Sequence, residues 1–226
     1  MLRDNQPTYN QPQQTDLSAN PNYEVELILG FINQNVTSFS AYYKENNESE
    51  KENWITFLLV KFFKICIHEH GGFFPFDFMK NPAQSQSGKE TDIGVIALTR
   101  DSKPATIIEF EAKRLSETSN NKEYVCGGRG GIERFKRGEH VSHLSVCGMF
   151  AYVQSRTSDE WVQKVNIWIS ELGQKNNDPE IDWSHSDEKL SHFSYLSSKV
   201  EIRKSINKRK IPLNSLVIYH YFINLI

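Results

Sequence analysis

Two stretches decide how the chain folds: Thr91–Leu98 (TDIGVIAL) and Ala105–Lys113 (ATIIEFEAK). Both are short and rich in β-branched and aromatic residues. The segment between them, Thr99 to Pro104, carries the turn residues Asp101, Ser102 and Pro104, so the pair reads as a β-hairpin. Side chains alternate along a strand, which sends Glu109, Glu111 and Lys113 to one face and Ile108, Phe110 and Ala112 to the other. Three charged groups on one face of an otherwise apolar strand need a reason. If Arg100–Lys103 forms the connection, Thr99 pairs with Pro104 and Asp92 comes to lie opposite Glu111, with Gly94 opposite Glu109 leaving open space beside them. Asp92, Glu111 and Lys113 then converge on one spot.

Two carboxylates held that close repel, and one stays protonated unless a cation lies between them. A hard divalent ion such as Mg²⁺, with Mn²⁺ as its substitute, meets that condition: it takes oxygen ligands, keeps several waters and accepts phosphate oxygens. The ammonium of Lys113 is placed to hold or deprotonate a metal-bound water and to meet charge building on a phosphoryl oxygen. The chemistry this pattern implies is phosphodiester hydrolysis. A solvated Glu–Lys pair on an edge strand is the plain alternative, and the apolar run Thr106-Ile-Ile-Glu-Phe110 argues against an edge.

Outward from the hairpin, the first 22 residues hold three prolines, four Gln and four Asn, a composition that buries no face and reads as a flexible arm. Residues 23–226 are expected to form one domain, since a chain of 226 residues supports one sizeable core better than two. Apolar residues at helical spacing (Val25, Leu27, Ile28, Phe31, Ile32, Val36) predict a helix over Tyr23–Phe39. After the polar stretch Lys44–Glu52, Ser49 and Glu52 have the spacing of a capping box ahead of a buried helix that runs from Trp54 to the His68–His70 region, where Gly71 and Gly72 offer a left-handed cap. Further elements follow: a short strand over Phe73–Phe78, a helical piece at Ile132–Lys136, a strand over Leu144–Val153, a helix over Glu160–Leu172 capped at Thr157–Asp159, and an apolar closing strand over Leu213–Ile226. Gln174–Glu188 reads as a polar loop. The order predicts an α/β fold with helices on both faces of one mixed sheet.

TDIGVIAL followed by IIEFEAKRL resembles the D…E-x-K motif of the PD-(D/E)XK nuclease superfamily, the restriction-endonuclease-like fold. The resemblance spans residues 48–154, and Thr91 stands where the superfamily's proline would precede the aspartate. It implies an αβββαβ core, a divalent metal held by Asp92 and Glu111, and Lys113 as the catalytic lysine. It also implies an acid from the preceding helix. Glu52 is the best match, with Glu48 and Glu50 as neighbours, so Glu52 is either a metal or water ligand or the capping-box partner of Ser49. The helix after the motif often carries a basic residue in this superfamily, which makes Arg129, Arg134 and Lys136 candidates for contacting a DNA backbone; solvated charges on a surface helix are the alternative.

Net charge is −2, which excludes a basic sheath that holds nucleic acid by charge alone. Local clusters exist nonetheless: residues 199–210 hold six Lys or Arg against one Glu, and residues 129–137 hold four against one. Neither His140 with His143 nor His68 with His70 comes with a third zinc ligand, and His220 among apolar neighbours reads as a hydrogen-bonded core residue. Trp161 and Trp168 read as core. Three scattered cysteines give no disulfide or metal pattern, and the N-terminus has no apolar signal region, so a soluble, cytoplasmic protein is expected. The expectation is a Mg²⁺-dependent endonuclease acting on DNA, with RNA also open and a homodimer plausible because cutting two strands calls for two sites. A binding or assembly module that kept the fold without cutting is the alternative, and an unrelated α/β protein with an incidental acid pair is a third.

Overall fold

The computed structural model describes residues 21–71, 74–82, 90–98, 106–127, 130–175, 178 and 180–226, and the side chains of residues 21 and 22 are outside that description. A mixed seven-stranded sheet of order β1-β2-β3-β4-β7-β6-β5 runs through the molecule. Its strands are β1 (Phe76–Lys80), β2 (Ile93–Ala97), β3 (Thr106–Leu115), β4 (Val146–Val153), β5 (Ser191–Ser197), β6 (Val200–Asn207) and β7 (Leu216–Asn224). The central three, β3, β4 and β7, are parallel, and antiparallel pairs flank them on both sides. One face is covered by α1 (Pro21–Asn35), α2 (Phe39–Asn46) and α3 (Glu52–Glu69), the other by α4 (Gly131–Arg137) and α5 (Ser158–Lys175). The expected α/β class with helices on both faces is observed.

The central strands are apolar on both sides because both faces are covered. Phe110 and Ile108 point into the α1–α3 core, while Met149 and Ala151 face α4 and α5. Phe110 stacks on Phe150 with ring centroids 4.8 Å apart and lies over Gly148, where a Cβ would run into its ring. α5 begins with a reciprocal cap, Glu160 N donating to Thr157 Oγ1 (3.2 Å) and Thr157 N to Glu160 Oε2 (2.8 Å). Its buried stripe is Trp161, Val162, Val165 and Ile169. Among the described residues no helix is long and apolar enough to cross a membrane.

Several boundaries differ from expectation. Helix α1 stops at Asn35, and a 3-10 turn at Val36–Ser38 redirects the chain into α2, which occupies part of the stretch read as polar. The arm expected over residues 1–22 lies outside the described residues except for its last two, which open α1; proline suits a first helical turn because its missing N–H is not needed there. β1 starts at Phe76, after Pro75 rather than at Phe73. Helix α3 ends with Gly71 at φ +78°, as expected of the cap, and Gly72 lies outside the described residues. The basic run 199–210 is largely strand β6 and the turn after it; in it Arg203 pairs with Asp159 at 2.8 Å, Lys210 pairs with Glu180 at 2.6 Å, Arg209 is buried against the Val141 carbonyl at 3.1 Å, and Lys208 stays exposed.

Candidate active site at the β2–β3 hairpin

Ile93 pairs with Phe110 and Gly94 with Glu109, so the inferred register is observed at this end of the hairpin. A bulge at Val95/Ile96 shifts it by one step beyond, where Ile96 pairs with Thr106, and the turn itself lies outside the described residues. The space expected beside Gly94 is filled: a Cβ there would sit 2.5 Å from Pro82 Cγ. Glu109 does not join the site. It is fully buried, accepting from Thr91 Oγ1 at 2.8 Å and from Thr106 Oγ1, so Thr91 in the superfamily's proline position has a hydrogen-bonding task.

β2 begins at Ile93, so the N–H groups of Ala112 and Arg114 on the longer β3 have no strand partner on that side. Two carboxylates take them. Ala112 N donates to Asp92 Oδ2 and Arg114 N to Glu52 Oε2, each at 2.8 Å. Asp92 and Glu52 are thereby aimed at the same end of β3, one from the hairpin and one from the start of α3. The capping-box reading of Glu52 is overturned: the residue before α3 is Lys51, no side chain caps the helix, and Glu52 reaches across to β3. Glu50 contributes its carbonyl, which accepts from Arg114 Nη1 at 3.0 Å, and Glu48 is exposed.

Glu111 projects into the protein, 2% exposed. Burial, and then the negative charge of Asp92, push its carboxyl up to about 8, against the smaller opposing pull of Lys113 and Arg134. Asp92 stands close enough to Glu111 for its negative charge to disfavour ionisation there. Glu111 Oε1 is buried with no hydrogen-bond partner. Around it stand Lys113 Nζ, 3.8 Å from Oε2, and Arg134 Nη1 and His140 Nε2, 4.0 and 3.9 Å from Oε1. Lys113 Nζ is also 3.5 Å from Glu52 Oε1. Burial disfavours the Lys113 ammonium, but Glu52, Asp92 and Glu111 together outweigh it and raise its pKa. Lys113 therefore stands as a positive charge among three carboxylates, suited to holding a water and neutralising an anion.

Among the described residues no group of three or more His, Cys, Asp or Glu side chains is arranged as a metal cage. What is present is a pair of hard oxygen donors, Asp92 and Glu111, the second with an orphaned buried oxygen, whose mutual repulsion a dication would relieve. That donor set fits a hydrated Mg²⁺ or Mn²⁺, which leaves its remaining positions to water and substrate.

Of the three residues expected to contact nucleic acid, Arg134 on α4 lies at the site, 27% exposed, and Arg129 lies outside the described residues. Lys136 is a correction. It has no solvent exposure, pairs with Glu188, donates to the Asp182 carbonyl at 2.8 Å and sits 4.7 Å from the Trp183 ring centre. Position 136 lies on the inner side of α4 with Ile132 and Phe135, which turns its ammonium inward. His140 was not expected at the site. It follows Gly138, whose left-handed conformation (φ +67°) turns the chain back after α4, and no local spacing in the sequence links it to Glu111. A cavity of about 230 Å³ opens beside the site, lined by Lys51, Glu52, Lys113, Arg114, Ser119 and Asn120 among others.

No family model, curated protein or solved structure matches this chain.

Proposed function

We propose that the protein is a metal-dependent nuclease of the restriction-endonuclease-like class that hydrolyses phosphodiester bonds, with DNA as the substrate. One observation carries the reading: Asp92, held on the Ala112 N–H at 2.8 Å, and the buried Glu111 carboxyl meet at the end of the hairpin, with the Lys113 ammonium 3.8 Å from Glu111. The element order α3-β1-β2-β3-α4-β4 agrees with an αβββαβ core.

In this reading Asp92 and Glu111 hold Mg²⁺, and Glu52 supports a water through the oxygen not used by Arg114 N. The bound dication supplies Lewis acidity toward a phosphoryl oxygen and lowers the pKa of a water. Lys113 holds the attacking water by donating a hydrogen bond and meets negative charge as it grows on the phosphate. Arg134 offers a second cation on the far side of Glu111.

The test is cleavage of plasmid DNA in Mg²⁺ by wild type and Lys113→Ala. Loss of at least about 100-fold in rate, with an unchanged circular dichroism spectrum, is expected. Full activity in the variant removes the mechanism. Metal-independent DNA binding without nicking by wild type would instead favour the binding-module alternative.

A further inference from the structure

Resting on that reading, we infer that the substrate presents an unpaired nucleotide, whose base is received in a second, polar cavity next to the scissile position. The cavity has a volume of about 580 Å³ and lies at the carboxyl ends of β3, β4 and β7, with Tyr43, Asn47, Glu50, Thr118, Gln154 and Ser155 among its walls. Crevices at the carboxyl ends of parallel strands are where open α/β sheets bind ligands, because the loops diverge there.

It adjoins the acid site through two shared elements. One is the segment Glu50–Glu52, whose first residue lines this cavity and whose last lines the smaller one beside Lys113. The other is the loop after β3, which gives Ser116, Glu117 and Thr118 to the larger cavity and Ser119 and Asn120 to the smaller. The loop is braced by its own hydrogen bonds, Ser116 N donating to Asn121 Oδ1 (3.0 Å) and Asn121 Nδ2 to the Ser116 carbonyl (2.7 Å). The saddle between the cavities is fixed by the Glu50 carbonyl, which accepts from Arg114 Nη1 at 3.0 Å and from Gln154 Nε2 at 3.4 Å.

The two cavities differ in charge. The one at Lys113 carries three cations, Lys51, Lys113 and Arg114, against Glu52 and Glu123, which suits phosphate oxygens. The larger one carries one, Lys44, against Glu50 and Glu117, with amide and hydroxyl groups that accept from the amino and imino groups of a base. A nucleotide laid across the saddle puts each end against its complement. A base paired inside a duplex has those edges occupied, so an unpaired one is selected.

The experiment uses fluorescence anisotropy with labelled single-stranded DNA in EDTA, together with hydrolysis of bis(4-nitrophenyl) phosphate in Mn²⁺, a substrate with no base. Thr118→Trp, on an exposed loop, fills the larger cavity, and Thr118→Ser is the control. The expected result is a dissociation constant raised about tenfold by Thr118→Trp but not by Thr118→Ser, with hydrolysis of the small ester unchanged. Unchanged affinity in Thr118→Trp, or a fall in both readouts, overturns the inference, as does wild type binding duplex as tightly as single strand. Failure of wild type to hydrolyse either DNA or the small ester overturns the nuclease reading itself. Glu117→Trp on the same loop repeats the test should Thr118→Trp not fold.

Discussion

Lys113 and Lys136 carry the same side chain into opposite settings. Lys113 faces three carboxylates that keep it charged, whereas burial lowers the pKa of Lys136, and raises that of Glu188, despite their contact. Removing the Lys136 ammonium leaves Glu188 buried without its counter-charge, so Lys136→Ala is expected to cost about 3 to 5 kcal/mol in urea unfolding. DNA affinity measured on the fraction that folds should not change; weaker binding at full stability would return Lys136 to the nucleic-acid interface. His220 gives a pH signature. It is fully buried between Tyr124 Oη and Ser205 Oγ, each 2.9 Å away, and burial lowers its pKa to about 3 from 6.5. Between those values the unfolded chain binds a proton that the folded chain does not, so stability falls as pH drops below about 6.5. Going from pH 7 to pH 5 this removes about 2 kcal/mol, and His220→Gln is expected to remove that part of the slope. An unfolding midpoint in His220→Gln that keeps the wild-type pH slope over this range would contradict the assignment.

Among the elements, the hairpin was legible because alternation and turn residues fix a register locally, and Asp92 and Glu111 followed from it. The bulge at Val95/Ile96 was not, since nothing in the side-chain pattern marks an extra residue. β6 carried a signal that the density of charge obscured: Val200, Ile202 and Ser205 are buried, while Arg203 and Lys204 are partly open. β5, exposed along much of its length, offered no apolar alternation to read. The start of α5 was legible from Thr157, and its cap has a measurable weight. Thr157→Ala should cost about 1 kcal/mol and leave cleavage unaltered, as judged by thermal unfolding beside a DNA-cleavage assay. Glu52 shows where local reading stops, because its partner at Arg114 N is 62 residues away and spacing left the cap on Ser49 and a site role both open.

Across the whole molecule, the fold class was set by the order of elements, but the convergence of Arg134 and His140 on Glu111 depends on how α4 and its Gly138 turn pack against β3. Tertiary placement of that kind leaves no trace in spacing. The net charge of −2 and the pairing of Arg203 and Lys210 with acids leave Lys51, Lys113 and Arg134 as the cations that the site itself offers a polyanion. Binding to single-stranded DNA is therefore expected to weaken with a log–log salt slope of only about 2, and Arg134→Ala to reduce it by about 0.7. A slope steeper than about 5 would point to a larger basic surface than the described residues provide. The central claim is more direct still: Asp92 and Glu111 cradle a divalent cation. Crystals soaked in Mn²⁺ are expected to show an anomalous peak between the two carboxyls, absent from Glu111→Ala crystals. No peak there in the wild type would contradict the account.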